Sequence, residues 1–167
     1  MMEQLFPDHR SGAIFDETRR YRYLLWRVWS VVSSDYILWI MLNPSTADEV
    51  VLDPTVRRCI RYSQRWKSPG LKVCNIFALK STDPKALYRE DDPVGPENDR
   101  YILETAAGAA RVIAAWGAHG IHQGRGRAVL DLLRSRGIKV ECLGLTKVGM
   151  PRHPLYLKGN LDPMPLG

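Results

Sequence analysis

Long hydrophobic runs are missing from this 167-residue chain, whose apolar stretches are soon interrupted by Arg or Asp, and no stretch has the length of a membrane span. The opening Met1-Met2-Glu3-Gln4-Leu5-Phe6-Pro7 lacks both a basic n-region and an apolar core, so no signal peptide is expected. Cysteine is scarce: Cys59, Cys74 and Cys142 are odd in number, widely spaced and set in apolar surroundings. They read as reduced thiols packed in a core, which points to a cytoplasmic protein and away from metal or iron–sulfur ligation. Phosphate-cradling glycine motifs are absent, since Gly124-Arg125-Gly126 is too short and follows no convincing strand. No cofactor, metal ion or membrane partner is expected, and nothing in the residues sets an oligomeric state.

What is present bounds the fold. A chain of 167 residues with 45% hydrophobic content has the material for one core, so residues 1–167 read as a single domain. Basic residues number 24 against 18 acidic ones, giving a net charge of +6, with clusters at Arg19-Arg20-Arg22, Arg57-Arg58-Arg61-Arg65-Lys67 and Arg125-Arg127-Arg134-Arg136. Such an excess favours a polyanionic partner. Solvated helix faces explain many basic domains equally well.

The hydrophobic period changes in an orderly way. Strand-like runs at Gly12 to Phe15, Tyr21 to Val32 and Tyr36 to Leu42, separated by turn signals, read as an antiparallel meander. Asp53-Pro54 then sets an N-cap before a proline at the first helical position, and the helical period continues to about Lys67. Further strands are expected at Leu71 to Phe77, Arg111 to Trp116 and Ile138 to Leu143, with helices at Pro96 to Ala109 and Gly124 to Arg136. The polar stretch from Ala78 to Pro96 is long for a connection, and the proline-rich tail from Asn160 reads as loose. This alternation predicts an α/β fold: a three-layer α/β/α arrangement around a central, mostly parallel four-stranded sheet, extended by the N-terminal antiparallel meander.

Polar residues fall at the ends of those strands. Leu38 to Leu42 stops at the proline-locked turn Asn43-Pro44-Ser45-Thr46; Asn75 lies near the end of the next strand; Trp116-Gly117-Ala118-His119 closes the third; and His153 stands between prolines after the fourth. Each has a bland reading as a turn former, a backbone-satisfying amide or a loop residue. Together they predict one site at one sheet edge, where open α/β sheets bind ligands.

These residues resemble the uracil-DNA glycosylase superfamily. Met41-Leu42-Asn43-Pro44-Ser45 is similar to the asparagine form of its first motif, without the usual leading glycine; Val73-Cys74-Asn75-Ile76 is similar to its internal asparagine strand, Val112 to Gly117 to its Trp-Gly strand, and His153-Pro154-Leu155-Tyr156 to its second motif. Asn-Pro-Ser-Thr-Ala-Asp-Glu, Asp-Pro-Thr-Val-Arg-Arg-Cys and Pro-Arg-His-Pro-Leu-Tyr more closely resemble a bacterial family of domains of unknown function.

The resemblance implies cleavage of the N-glycosidic bond of uracil or a modified pyrimidine flipped out of DNA, single-stranded or duplex. Asn43 would position the attacking water and His153 would stabilise the departing base, making these the catalytic pair. Asn75 would read the base edge, with Phe77 or Trp116 as a stacking face; Leu155 and Tyr156 would fill the gap left by the base, and Lys147 and Arg152 would contact phosphates. In the best-known branch a bulky tyrosine follows the motif proline and excludes a 5-methyl group. Here that place holds Ser45, which implies room for a 5-substituent. Two other classes stay open: a catalytically silent protein that binds nucleic acid or a modified nucleotide, and a hydrolase using Ser45 or Ser81 with His153. The last lacks both a Gly-x-Ser-x-Gly elbow and an evident carboxylate to orient the histidine.

Overall fold

The computed structural model describes residues 10–45 and 51–166; Thr46, Ala47, Asp48 and Glu49 of the motif stretch lie outside the described residues. Strands β1 (Ser11–Phe15) and β2 (Arg22–Val28) form an antiparallel hairpin in which Ala13 faces Leu25. Glycine is required at position 12, where a Cβ would stand 2.0 Å from the Trp26 ring. Strand β3 (Ile37–Met41) is buried at every residue, as an apolar run without alternation demands. Helix α1 (Pro54–Arg65) starts as its residues dictate: Asp53 accepts a hydrogen bond from the Val56 N–H, and Pro54 fills a position whose N–H has no helical partner.

There follow β4 (Gly70–Asn75), α2 (Asn98–Gly108), β5 (Arg111–Ala114), α3 (Arg125–Ser135), β6 (Glu141–Cys142) and β7 (Met164–Pro165). Short 3-10 turns lie at Pro84–Tyr88, Ala118–Gly124 and Pro154–Tyr156. The fold is α/β, with a seven-stranded mixed sheet in the order β1-β2-β4-β3-β5-β6-β7. Strand β3 pairs in parallel with β4 on one side and β5 on the other, and β5 pairs in parallel with β6. The first parallel strand thus stands beside β5 in the middle, and the connection leaving β3 (to β4) and the one leaving β5 (to β6) diverge to opposite sides. That divergence opens a crevice at the strands' carboxyl ends.

Side chains alternate across the sheet into two apolar clusters. Trp39, Met41, Val73 and Ile113 pack with Val56, Cys59 and Tyr62 of α1. Leu38, Ile40, Cys74, Val112 and Ala114 pack with Ile102 and Ala106 of α2 and Val129, Leu130 and Leu133 of α3. The buried Trp39 indole donates to the Ser63 hydroxyl at 2.9 Å. All three cysteines are buried and free, and burial pushes the Cys74 thiol up to about 12. Among the described residues no helix is long and apolar enough to cross a membrane.

Three expectations need correction. The third run of the meander does not pair with the second: β4 inserts between β2 and β3. A strand buried on both faces gains most at the sheet's centre, whereas β2 carries Arg22 and Arg27 and sits nearer the edge. The last parallel strand shrinks to Glu141–Cys142, because Ile138 still closes the end of α3 by donating to the Leu133 carbonyl. The tail is not loose: β7 pairs with β6, the Leu166 N–H donates to Val140, and Arg134 donates to the Leu166 carbonyl at 2.9 Å.

The capping role of Asp53 sets a first expectation. Asp53→Ala should cost about 1 kcal/mol in urea unfolding, whereas Asp53→Asn, an equally good cap, should stay within a few tenths of wild type. Equal losses in both would show that the α1 cap is not what the side chain contributes.

Candidate functional site

A cleft of about 470 Å³ opens at the carboxyl ends of the parallel strands, within the range of small-ligand sites. Its walls include Asn43 and Ser45 after β3, Asn75 at the end of β4, Trp116 and Gly117 after β5, and His153 with Leu155 and Tyr156 from the last loop. Asn43, Asn75 and His153 therefore share one cleft, across 110 positions of sequence between the first and the last.

Backbone ties bring these segments together. Beyond β3 and β4 the ladder continues, with the Ile76 N–H donating to Met41 and the Phe77 N–H to Leu42. The Gly117 N–H donates to the Pro151 carbonyl at 2.8 Å, drawing the 149–154 loop against the end of β5. Gly117 has φ of +78, which favours glycine, and it brings the backbone to ordinary contact distance of the His153 Cβ.

Asn43 is held by its amide nitrogen, which donates to the Ser81 carbonyl at 3.0 Å and more weakly to those of Leu79 and Pro44. Among the described residues its Oδ1 accepts no protein hydrogen bond, and it remains the group with acceptor capacity. The half-buried Ser45 hydroxyl donates to Asp53 Oδ2 at 2.7 Å. Asn75 is buried beside the buried guanidinium of Arg22, whose Nη2 lies 3.2 Å from Asn75 Oδ1. A guanidinium only donates, which assigns the contacted atom as oxygen and leaves Nδ2 as the free donor of the amide. Below, the Asn98 amide donates to the carbonyls of Asn75 and Ile76, and Arg125 Nε donates to that of Ile76 at 2.7 Å.

His153 caps its own short turn, accepting the Leu155 N–H at Nδ1. A ring nitrogen that accepts cannot carry the proton, so the neutral ring is protonated at Nε2. Burial pulls the His153 imidazole below the ordinary histidine value, opposed by the nearby Asp53 charge.

Trp116 lines the cleft, but its buried indole N–H is directed at the Met150 sulfur at 3.3 Å. Leu155 and the 90% exposed Tyr156 stand at the rim, suited to contact a large ligand. Phe77 needs correction as a stacking face: it is fully buried, packs against the His122 ring and is not in the lining. Two residues past β4 it is still held in the sheet by its bond to Leu42, which keeps it in the core. Lys147 and Arg152 are exposed and outside the lining.

Arg22 and Asp53 are lining residues that sequence reasoning did not assign to the site. An arginine opening the apolar run Arg22–Val28 was a legible sign of a buried charge with a purpose. Asp53 read only as a cap. His119, which the sequence places at the end of the third parallel strand, also lines the cleft, and its 3.0 Å bond to the Tyr88 hydroxyl has no sequence signal because the pairing spans a long loop. Among the described residues no three His, Cys, Asp or Glu side chains are grouped to hold a metal ion.

Fold and cleft together define an α/β protein with a cleft at the point where the strand order diverges. Residues 22–155 match the model of the family described as protein of unknown function (DUF1643), and the chain belongs to that family. No curated protein and no solved structure matches it.

The depressed His153 value has a stability consequence. At His153 the folded state binds less proton than the unfolded one as pH falls below about 6.5, so the stability this residue contributes is present above that pH and is lost as pH falls through the folded value. Urea unfolding followed from about pH 7 to pH 5 should lose stability less steeply in His153→Asn, whose amide oxygen still accepts from Leu155. An NMR titration midpoint for His153 at or above 6.5 overturns this.

Proposed function

We propose that the cleft holds a uracil-like or 5-substituted pyrimidine nucleotide flipped out of DNA and hydrolyses its N-glycosidic bond. The reading treats the fold as a three-layer α/β/α domain related to the uracil-DNA glycosylases, and it rests on one observation above the others: Asn43, Asn75 and His153 line the same cleft at the carboxyl edge of the parallel strands. With its oxygen engaged by Arg22, Asn75 offers N–H donors, which suit a base edge that accepts, such as a 4-oxo group. His153, protonated at Nε2, is a neutral donor for the oxygen on which charge develops as the base departs. Asn43 Oδ1 accepts from the attacking water. Leu155 and Tyr156 at the rim contact the strand from which the base has left, and the net positive charge favours the phosphates.

A serine hydrolase reading is weaker, because the Ser45 hydroxyl donates to Asp53 and not to His153. A silent nucleic-acid or modified-nucleotide binding protein has one observation in its favour: the Asn43 amide is tied to turn carbonyls, as in a purely structural turn. Oligonucleotides carrying uracil and a panel of 5-substituted pyrimidines, followed by alkaline cleavage of abasic sites, separate the two. A strand break on at least one substrate is expected, and binding without any break favours the silent reading. On the cleaved substrate Asn43→Ala and His153→Ala should each slow base release by about 10²-fold or more with binding retained. Wild-type rates in both would remove these assignments.

The wall at Ser45 is tested separately. Ser45→Tyr should penalise 5-substituted bases relative to uracil by roughly 1–3 kcal/mol, the size of small steric discriminations in a pocket. An unchanged ratio between the two substrates would mean that Ser45 does not face the 5-position.

A further inference from the structure

Neither residue assigned to the chemistry above can take a proton from water. Asn43 is an amide, and its nitrogen is committed to the Ser81 and Leu79 carbonyls. His153 Nδ1 is occupied by the Leu155 N–H, so its proton sits on Nε2, where it serves as a donor. Asp53 is the carboxylate in the cleft lining among the described residues.

We propose that Asp53 is the general base of this cleft, accepting the proton of the water that attacks the sugar; the assignment rests on the N-glycosidic reading. Two bonds clamp the carboxylate: Oδ1 accepts the Val56 N–H at 2.8 Å and Oδ2 accepts the Ser45 hydroxyl at 2.7 Å. A carboxylate has about four acceptor positions, so each oxygen keeps capacity for a further partner. The N-terminus of α1 places the positive end of the helix dipole behind the carboxylate, and Thr55 and Val56 of the same turn line the cleft with it.

The step balances without a further reactant. The water oxygen bonds to C1′ as the bond from C1′ to the base nitrogen breaks, and that electron pair leaves on the base. The water proton passes to Asp53. His153 Nε2–H donates to the anionic base, which takes a proton from solvent on release, while Asp53 returns its own to solvent.

Asp53→Asn is the discriminating variant, because it keeps size and cap and removes only basicity. Its Oδ1 still accepts from Val56, and its Nδ2 donates to the Ser45 oxygen. Single-turnover release of the base from the cleaved substrate should fall by about 10²-fold or more, with oligonucleotide affinity and the urea midpoint close to wild type. Asp53→Ser also caps α1 but leaves space, and added formate should restore part of its lost rate. Release by Asp53→Asn within about threefold of wild type overturns the base role and leaves the glycosidic reading standing. A loss in both variants that formate does not relieve marks the carboxylate as a structural clamp and likewise overturns it. If the wild-type protein releases no base from any substrate, the reading beneath the proposal fails and the base role falls with it.

Discussion

The end of β3 is the fixed point on which one side of the cleft is built. A strand buried on both faces and paired on both edges has no freedom to shift along its axis, since a one-residue slip would exchange the apolar cluster beneath α1 for the one beneath α2 and α3. Asn43 must stay extended because Pro44 follows, and Pro44 has no N–H to continue the ladder. The strand therefore ends at a defined residue. The Asn43 amide and the Pro44 carbonyl then bond in opposite senses to Ser81, which ties the loop after β4 to the stub of β3. The Asn43 and Ser81 side of the cleft descends from that one termination, and the His153 side from the bond between Gly117 and Pro151.

Charge is handled differently at three points of the same cavity. Arg22 is buried with its guanidinium against the Asn75 amide, and burying a cation is tolerable only where acceptors surround it. His153 answers burial by giving up its charge, and the bond from Leu155 makes the neutral tautomer definite. Asp53 stands at a helix N-terminus with two donors on its carboxylate. The cavity thus presents N–H donors on the Asn75 and His153 sides and an acceptor beside Ser45. A ligand that accepts along one edge and donates at the other is complementary to that division.

Much of this was legible in the residues because it is local. Periodicity marked α1, α2 and α3 and the central strands, Asp53-Pro54 marked the start of a helix, and the polar strand ends marked the edge at which a site would form. Pairing order was not legible: β4 enters between β2 and β3 because burial on both faces decides which strand takes the centre, and that comparison is made between segments distant in sequence. Strand β7 was missed for a similar reason, as its two residues are held by β6 and Arg134 and not by any propensity of their own. Phe77 was misplaced because a backbone bond to Leu42 carries the sheet past the last residue of β4. Arg22 and Asp53 carry ordinary local explanations, a strand end and a cap, and only the converging chain turns them toward one cavity.

The bland and the functional readings of these side chains turn out not to compete. Asn43 spends its nitrogen on the turn and keeps its oxygen; His153 spends Nδ1 on its own 3-10 turn and keeps Nε2; Asn75 spends its oxygen on Arg22 and keeps its nitrogen. Each polar group is two-ended, and in each one end is consumed in fixing the other. A side chain anchored this way has already lost its rotamer freedom before a ligand arrives, so ordering it adds little cost at the moment of binding. All three residues line one cavity from separate segments, and each brings to it a side chain already fixed by the fold.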